Sequence, residues 1–547
     1  KMKTNVLSLL AFAGALVFMS ACASEEANKQ EPEQKQEPGT EGLTAFVVDE
    51  GTRTTADYDG SGLNFYWTAG DDLWVNNNTA LPAVVSKNST NNIGTLLAPK
   101  PANDKKTTTA KFYFAGNFTA PSYTVRYTGK NSPSGSKVTI KAQQTQTIPN
   151  DASHIGEDGD CGTAVATKPA GGSKYNFTLD HKAAYLTFTP YNSQNAISAV
   201  HIAQIKVTAD KAICGQFDFN DNGINLTSRP APSAANRSIT LTLNTTATNT
   251  GFPIHTGSAP DYTKNSAVMV LAPGTYSTFT VEYTLRDNTT QKSGTITKTY
   301  NNLTLNAGKN RRVAADLQVK DYSPWFNDIY QWDAKAPYWD GVTLPDVIQN
   351  NINYNSYGTP SANSHYNPIS TSGIIDASNS CKNLLNVNEM LYYVYYGNPY
   401  YDNSTLYAYK GHLYTGGLWL KKLSVIYNNL KAAGYNQLSS QAAMKQKFYV
   451  SPSDAGRDYR NPMGFNNIGR APTAGIPTPT SDYFYLPALG IFNTGTLYGA
   501  GSYGDYWTSS GYPSTSTVAF DLNFWSTRVE LNLQLQRWRG ILVRPFE

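Results

Sequence analysis

The six histidines are scattered, and no HxxxH or HExxH spacing puts two of them on one helix face where zinc could be held. His181 falls inside a strand-like stretch, where a packed or capped core histidine is the expected role. Gly499-Ala500-Gly501-Ser502-Tyr503-Gly504 spells GxGxxG, but a dinucleotide loop needs a helix after it and a later acidic residue. Here Tyr506-Trp507-Thr508-Ser509-Ser510 reads as a strand, so a glycine turn is expected. Asp218, Asn220, Asn222 and Gly223 imitate the first half of a calcium loop, yet Arg229 stands where the bidentate glutamate belongs. A hairpin turn at Asp221-Asn222-Gly223 is the expected structure. No GxSxG elbow, Walker loop or close carboxylate pair at recognisable spacing occurs, so no catalytic residues, no metal and no cofactor are expected. The aromatic residues are the other candidates. Trp525, Trp538, Tyr400 and Tyr401 offer flat apolar faces on which a sugar ring or a peptide side chain could stack, whereas Trp507, inside a strand, is expected in the core.

Two further residues invite covalent chemistry. Lys1 and Lys3 precede an apolar run from Val6 to Met19, and Met19-Ser20-Ala21-Cys22 has the layout of a bacterial lipobox with Met in place of Leu. Residues 1–21 are therefore expected to be a lipoprotein signal peptide and Cys22 the lipidated residue, with palmitate among its acyl chains. Residues 22–43, dominated by Glu, Gln, Lys and Pro, are expected to be a flexible tether. Arg53 lies in the polar turn Glu50-Gly51-Thr52-Arg53-Thr54-Thr55, the kind of exposed segment that proteases cut. Cys161, Cys214 and Cys381 remain, an odd number that forbids complete pairing, and whether Cys161 and Cys214 pair stays open.

The elements that must position these residues follow from composition. A chain of 547 residues exceeds what one core supports, and about 150 residues per domain suggests three to four. Aromatics reach 12% and charged residues only 15%, which favours strands and polar loops. The net charge of +4 is spread thinly, so nucleic acid is not an expected partner. Residues 44–317 alternate in short strand-like runs such as Lys111-Phe112-Tyr113-Phe114, enough for two β-sandwiches with a break near 164–174. Beyond Lys320, Trp, Tyr and Asn become dense. One helix is expected from the N-cap Asn386 with Glu389 as its capping-box partner, and a second over about 418–433. The composition shift at Asp321-Tyr322-Ser323-Pro324 suggests a linker.

Two resemblances sharpen this. Residues 45–75, AFVVDEGTRTTADYDGSGLNFYWTAGDDLWV, and residues 176–188, NFTLDHKAAYLTF, resemble Bacteroidia fimbrillins. TGGLWLKKLSVI (415–426), DYFYLPALG (482–490), GSYGDYWTSS (501–510) and ILVRPFE (541–547) resemble the Fibrobacter-type major paralogous domain, similar to C-type lectin-like folds. The resemblances imply a mainly β chain: two transthyretin-like β-sandwich domains, 44–165 and 166–320, followed by an α+β C-type lectin-like domain, 321–547. They imply a Bacteroides-type fimbrial (pilus) tip adhesin, first an outer-membrane lipoprotein precursor. Cleavage at Arg53 would release the first strand for donor-strand exchange with other pilin subunits. The lectin-like head would then meet a surface glycan or protein for cell adhesion. The Glu-Pro-Asn and Trp-Asn-Asp triplets of calcium-dependent lectins are absent, so contact without a metal is implied. A stand-alone surface glycan-binding lipoprotein is the alternative.

Overall fold

The structure, a computed structural model, describes residues 37–48, 55–77, 85–102, 104–243, 245–246, 249–360, 373–461, 468–513 and 515–546. Residues 1–43 and residues 44–547 form separate units, and the strands and helices named next belong to the second.

Strand Thr44–Val48 alternates buried Phe46 and Val48 with half-buried Ala45 and Val47, the period-two pattern of a strand with one face on a core. It has a partner on each side. Phe46 lies opposite Tyr175 in a parallel ladder with Tyr175–Phe177 and opposite Phe112 in an antiparallel ladder with Lys111–Phe114. The sheet continues on one side to Thr90–Asn91 and on the other through Gly162–Thr167, Ser122–Tyr127 and Trp74–Asn76 to Val85–Lys87. Its inner face buries Phe46, Trp67, Phe112, Phe114, Val125, Tyr127 and Tyr175.

A second core is built by Val200–Ala209, Ser238–Leu243 and the hairpin Gly274–Asp287 with Ser293–Leu305, opposed by Ala184–Asn192, Ala267–Leu271 and Asn310–Asp316. The border expected at residues 165/166 is corrected here. Gly162–Thr167 and Tyr175–Phe177 are strands of the same first sheet, with Thr167 opposite Asn176. The Gly-rich segment between them is their connecting turn, in which Gly172 N–H donates to Pro169 and Gly171 takes a positive φ. Conversely, Lys137–Ile140 and Gln143–Gln146, from the expected first sandwich, pair with Gly215–Asn220 and Ser238–Leu243 of the second core. Cys161 and Cys214 are both buried and free.

In the C-terminal half the main sheet runs Ile329–Tyr330, Ile541–Leu542, Gly504–Gly511, Val518–Trp525, Arg528–Gln536, Ile468–Arg470. A smaller sheet orders Thr473–Ala474, Tyr400–Asp402, Gly417–Lys421 and Tyr483–Pro487. Helix Val387–Tyr396 begins at Asn386 with the reciprocal Asn386 and Glu389 capping box in place. The second helix is shorter than its periodicity suggests, Leu423–Ala432. The residues before it, Gly417–Lys421, form a strand flanked by partners on both sides, because ladder pairing outweighs the helical spacing of Leu420 and Leu423.

No slack linker separates the halves at Asp321-Tyr322-Ser323-Pro324. Lys320–Asp321 pairs in parallel with Tyr407–Tyr409, and that hairpin's Ala408 and Leu413 join the second core. Its next strand, His412–Tyr414, is fastened to the end of the long hairpin. Asp287 Oδ2 accepts from His412 Nδ1 at 2.7 Å and from the Leu413 amide at 3.0 Å, while Thr290 Oγ1 donates to the Leu413 carbonyl at 2.8 Å. Burial pulls the Asp287 pKa upward, but His412 and the amides of Leu413 and Thr290 outweigh it and hold the carboxyl below its ordinary value. A depressed folded pKa gives stability that is present above the unfolded value of about 3.9 and is lost as pH falls through the folded value. Asp287→Asn should therefore cost about 1–3 kcal/mol in urea unfolding at pH 7. It should also lose less further stability than wild type on acidification below pH ~4. Identical acid limbs for the two proteins would remove Asp287 as the fastening group.

Candidate functional site

Two places gather the residues singled out in the sequence. The first is the slot filled by Thr44–Val48. The Phe46 ring stacks on Tyr175 at 4.7 Å and meets Phe114, Phe118 and Tyr123 edge-on at 5.0, 5.4 and 6.5 Å. Tyr175 is itself pinned by its hydroxyl, which donates to the carbonyls of Phe118 and Ala120 at 3.1 and 2.6 Å. The cage is thus assembled from other strands, and only Phe46 and Val48 come from the strand that fills it. Arg53 and Cys22 lie outside the described residues. Described chain resumes at Thr55–Tyr58, which pairs with Leu63–Tyr66.

The second place is one face of the C-terminal main sheet. Trp525, half-buried at the end of Val518–Trp525, stacks on Tyr503 with centroids 5.8 Å apart and planes 15° apart, and the Asn523 amide donates to the Tyr503 hydroxyl. Asn523 also donates to Asp505 Oδ1 at 3.0 Å. Asp505 faces Asp521, and desolvation drives Asp505 up to about 6 and Asp521 well above the ordinary carboxylate value. No recognisable spacing in the sequence announces this carboxylate pair. The two aspartates are far apart in sequence and meet only because Gly504–Gly511 and Val518–Trp525 are neighbours in register. The alternation Ala519, Asp521, Asn523, Trp525 along one strand face was the available signal.

The other sequence candidates scatter. Trp538 is half-buried, with the Arg539 guanidinium 5.6 Å from its ring and its carbonyl accepting from Gln331 Nε2 at 3.1 Å. Tyr400 is half-buried against Tyr483, 5.9 Å away and edge-on. Tyr401, its neighbour on the strand, points the opposite way and is only 4% exposed, with its hydroxyl on the Ser502 carbonyl. Tyr401 is therefore a core residue rather than a contact residue, and burial raises its phenol to about 12. Trp507 is also core, donating from Nε1 to the Tyr330 carbonyl at 2.9 Å. Among the described residues no ring contact joins Trp525, Trp538 and Tyr400. The GxGxxG run is a turn with Gly499 and Gly501 at positive φ leading into strand Gly504–Gly511. Asn220 and Gly223 close a two-residue hairpin, and its Asp221 accepts from Arg126 Nε at 2.6 Å. His181 is packed, stacked on Phe65 at 3.7 Å with Nδ1 against Asp160 at 2.9 Å.

No family model matches the chain, and no curated protein does. Among solved structures, a candidate cell adhesion protein from Bacteroides ovatus aligns at 12% identity and TM-score 0.27, over 50% of this chain and 93% of its own. One from Bacteroides uniformis aligns at 12% and 0.28, over 51% and 94%. A fimbrial assembly protein from Parabacteroides distasonis aligns at 10% and 0.20, over 46% and 98%. Likeness at this level leaves the fold to be read from the chain's own strands.

The two tryptophans should separate by role. Trp507→Ala empties a core position and should cost about 3–5 kcal/mol in unfolding free energy. Trp525→Ala loses one stacked ring pair and should cost only about 0.5–1.5 kcal/mol. Equal losses in chemical denaturation would mean that Trp525 is structural rather than available to a ligand.

Proposed function

We propose that this chain is a fimbrial subunit, a tip adhesin that joins other pilin subunits by exchange of a strand and presents its C-terminal half to a surface glycan or protein. The observation that carries this reading is the place of Thr44–Val48. A strand lodged between two others, contributing few core side chains to a cage that others build, is a removable plug. Its departure would leave unpaired N–H and C=O groups on both neighbours and an open aromatic pocket where Phe46 had been, and an incoming strand of matching alternation repairs both defects.

The link that would have to be cut, residues 49–54, contains Arg53 and joins the plug directly to Thr55–Tyr58. In this scheme the lipid on Cys22 holds the uncut precursor at the outer membrane, and cutting after Arg53 frees the remainder. Contact with the surface ligand falls to the Trp525 and Tyr503 stack, with Trp538 and Tyr400 as separate outlying faces. Stacking of a sugar ring on such a face needs no catalysis, and the protein is read as a binder rather than an enzyme.

Arg53→Ala decides the assembly half of the proposal. The variant should keep residues 23–53 attached, stay in the membrane fraction and be missing from sheared fimbriae. Normal incorporation with the N-terminal segment still attached would refute assembly by release of Thr44–Val48.

A further inference from the structure

The acidic pair on the C-terminal sheet has no part in strand exchange or in ring stacking. On one face across three strands, Asp505 lies opposite Asn523, which lies opposite Glu530, and Asp521 lies opposite Asn532. Asp521 is 0% exposed, Asp505 1% and Asn523 3%. Both carboxylate oxygens of Asp521, Oδ2 of Asp505 and Oδ1 of Asn523 are buried with no hydrogen-bond partner. Buried polar atoms are nearly always satisfied; the Asn532 amide bears on Asp521 from the next strand and the two carboxyls bear on each other, but none of these groups brings a positive charge to the four acceptors.

The neighbouring cations do not fill that role. Arg528 is committed to Glu530. Arg539 bears on Asp505, yet its Nε is buried without a partner, and no cation figures among the groups acting on Asp521. The Asn523 amide flanks the pair, its nitrogen already on Asp505 and on the Tyr503 hydroxyl, so one end of it is engaged and the oxygen end is idle. A rotation of that amide would bring its oxygen to the carboxylates.

We propose that Asp505, Asp521 and Asn523 form a calcium site that ties strands Gly504–Gly511 and Val518–Trp525 together beneath the Trp525 and Tyr503 stack. The donor set selects the ion. It contains oxygen alone, from carboxylates and amides, which suits a hard cation of flexible coordination and gives zinc or copper neither nitrogen nor sulfur. Among the described residues no three His, Cys, Asp or Glu side chains gather as a metal cluster, in keeping with a site of two carboxylates completed by amide oxygens. The site stands independently of fimbrial assembly, since it asks nothing of Thr44–Val48 or Arg53.

The test uses the full chain, treated with chelator, exchanged into metal-free buffer and titrated with calcium chloride. Isothermal titration should give one bound calcium per chain. Thermal unfolding should move up by several degrees in excess calcium, since an ion that binds only the folded state stabilises it by mass action. Tryptophan emission should shift with the same midpoint, because Trp525 lies on the site. Magnesium, which holds its water more tightly, should give a smaller shift. Asp521→Asn should abolish the calcium increment, and Asn523→Ala should weaken it at least tenfold. If Asp521→Asn fails to fold, wild-type stoichiometry and Asn523→Ala carry the decision. Heat of dilution alone in the titration, or a calcium response unchanged by both variants, overturns the site. So does Asp521→Asn raising stability while calcium does nothing to wild type, because the pair would then share a proton.

Discussion

Everything in the N-terminal half turns on one ladder position. Thr44–Val48 completes a sheet whose other strands form the walls of an aromatic cage, and the plug brings to that cage only Phe46 and Val48. Burying a phenylalanine is worth about 1.5–3 kcal/mol, and each stacked or edge-on ring pair adds about 0.5–1.5 kcal/mol. The two ladders add hydrogen bonds whose loss would leave orphaned groups on both sides. The strand is held firmly while present, and in the sheet order it links Lys111–Phe114 and Thr90–Asn91 to the other strands, so a strand that replaced it would have to restore both ladders.

The second core and the C-terminal half are bound together by different means. The Tyr407–Tyr409 and His412–Tyr414 hairpin gives Ala408 and Leu413 to the second core, and Asp287 clamps its backbone. A buried carboxylate held by hydrogen bonds in this way adds modest net stability but fixes one docking geometry, since any other arrangement would strand the Asp287 charge in a dry place. The second core and the C-terminal half are therefore joined by a paired and buried junction rather than by a tether.

Much of this was legible in the sequence. Period-two alternation found the strands, Asn386 and Glu389 found the first helix, and Asp221-Asn222-Gly223 found its hairpin, because each is a local preference that the fold respects. What was not legible depended on pairing at long range. The Gly-rich stretch after Thr167 has the composition of a border but turns one strand back beside another, and residues 417–421 have helical spacing but are captured by strands on both sides. The aspartate pair was hidden for the same reason. Asp505 and Asp521 look like ordinary solvated residues until strand register, with Asp505 opposite Asn523 and Trp507 opposite Asp521, makes them diagonal neighbours. Tyr400 and Tyr401 look equivalent in sequence, and only the pleat tells which of them is buried.

The claim at the centre of this account is that the Thr44–Val48 slot accepts a strand supplied by another chain. Its most direct measurement is binding of a labelled peptide spanning residues 42–48 to protein cut after Arg53 and freed of its own N-terminal segment. The account predicts binding of one peptide per chain, lost when Phe46 and Val48 are both replaced by Asn. Cut protein that stays folded and monomeric and takes up neither peptide would contradict it.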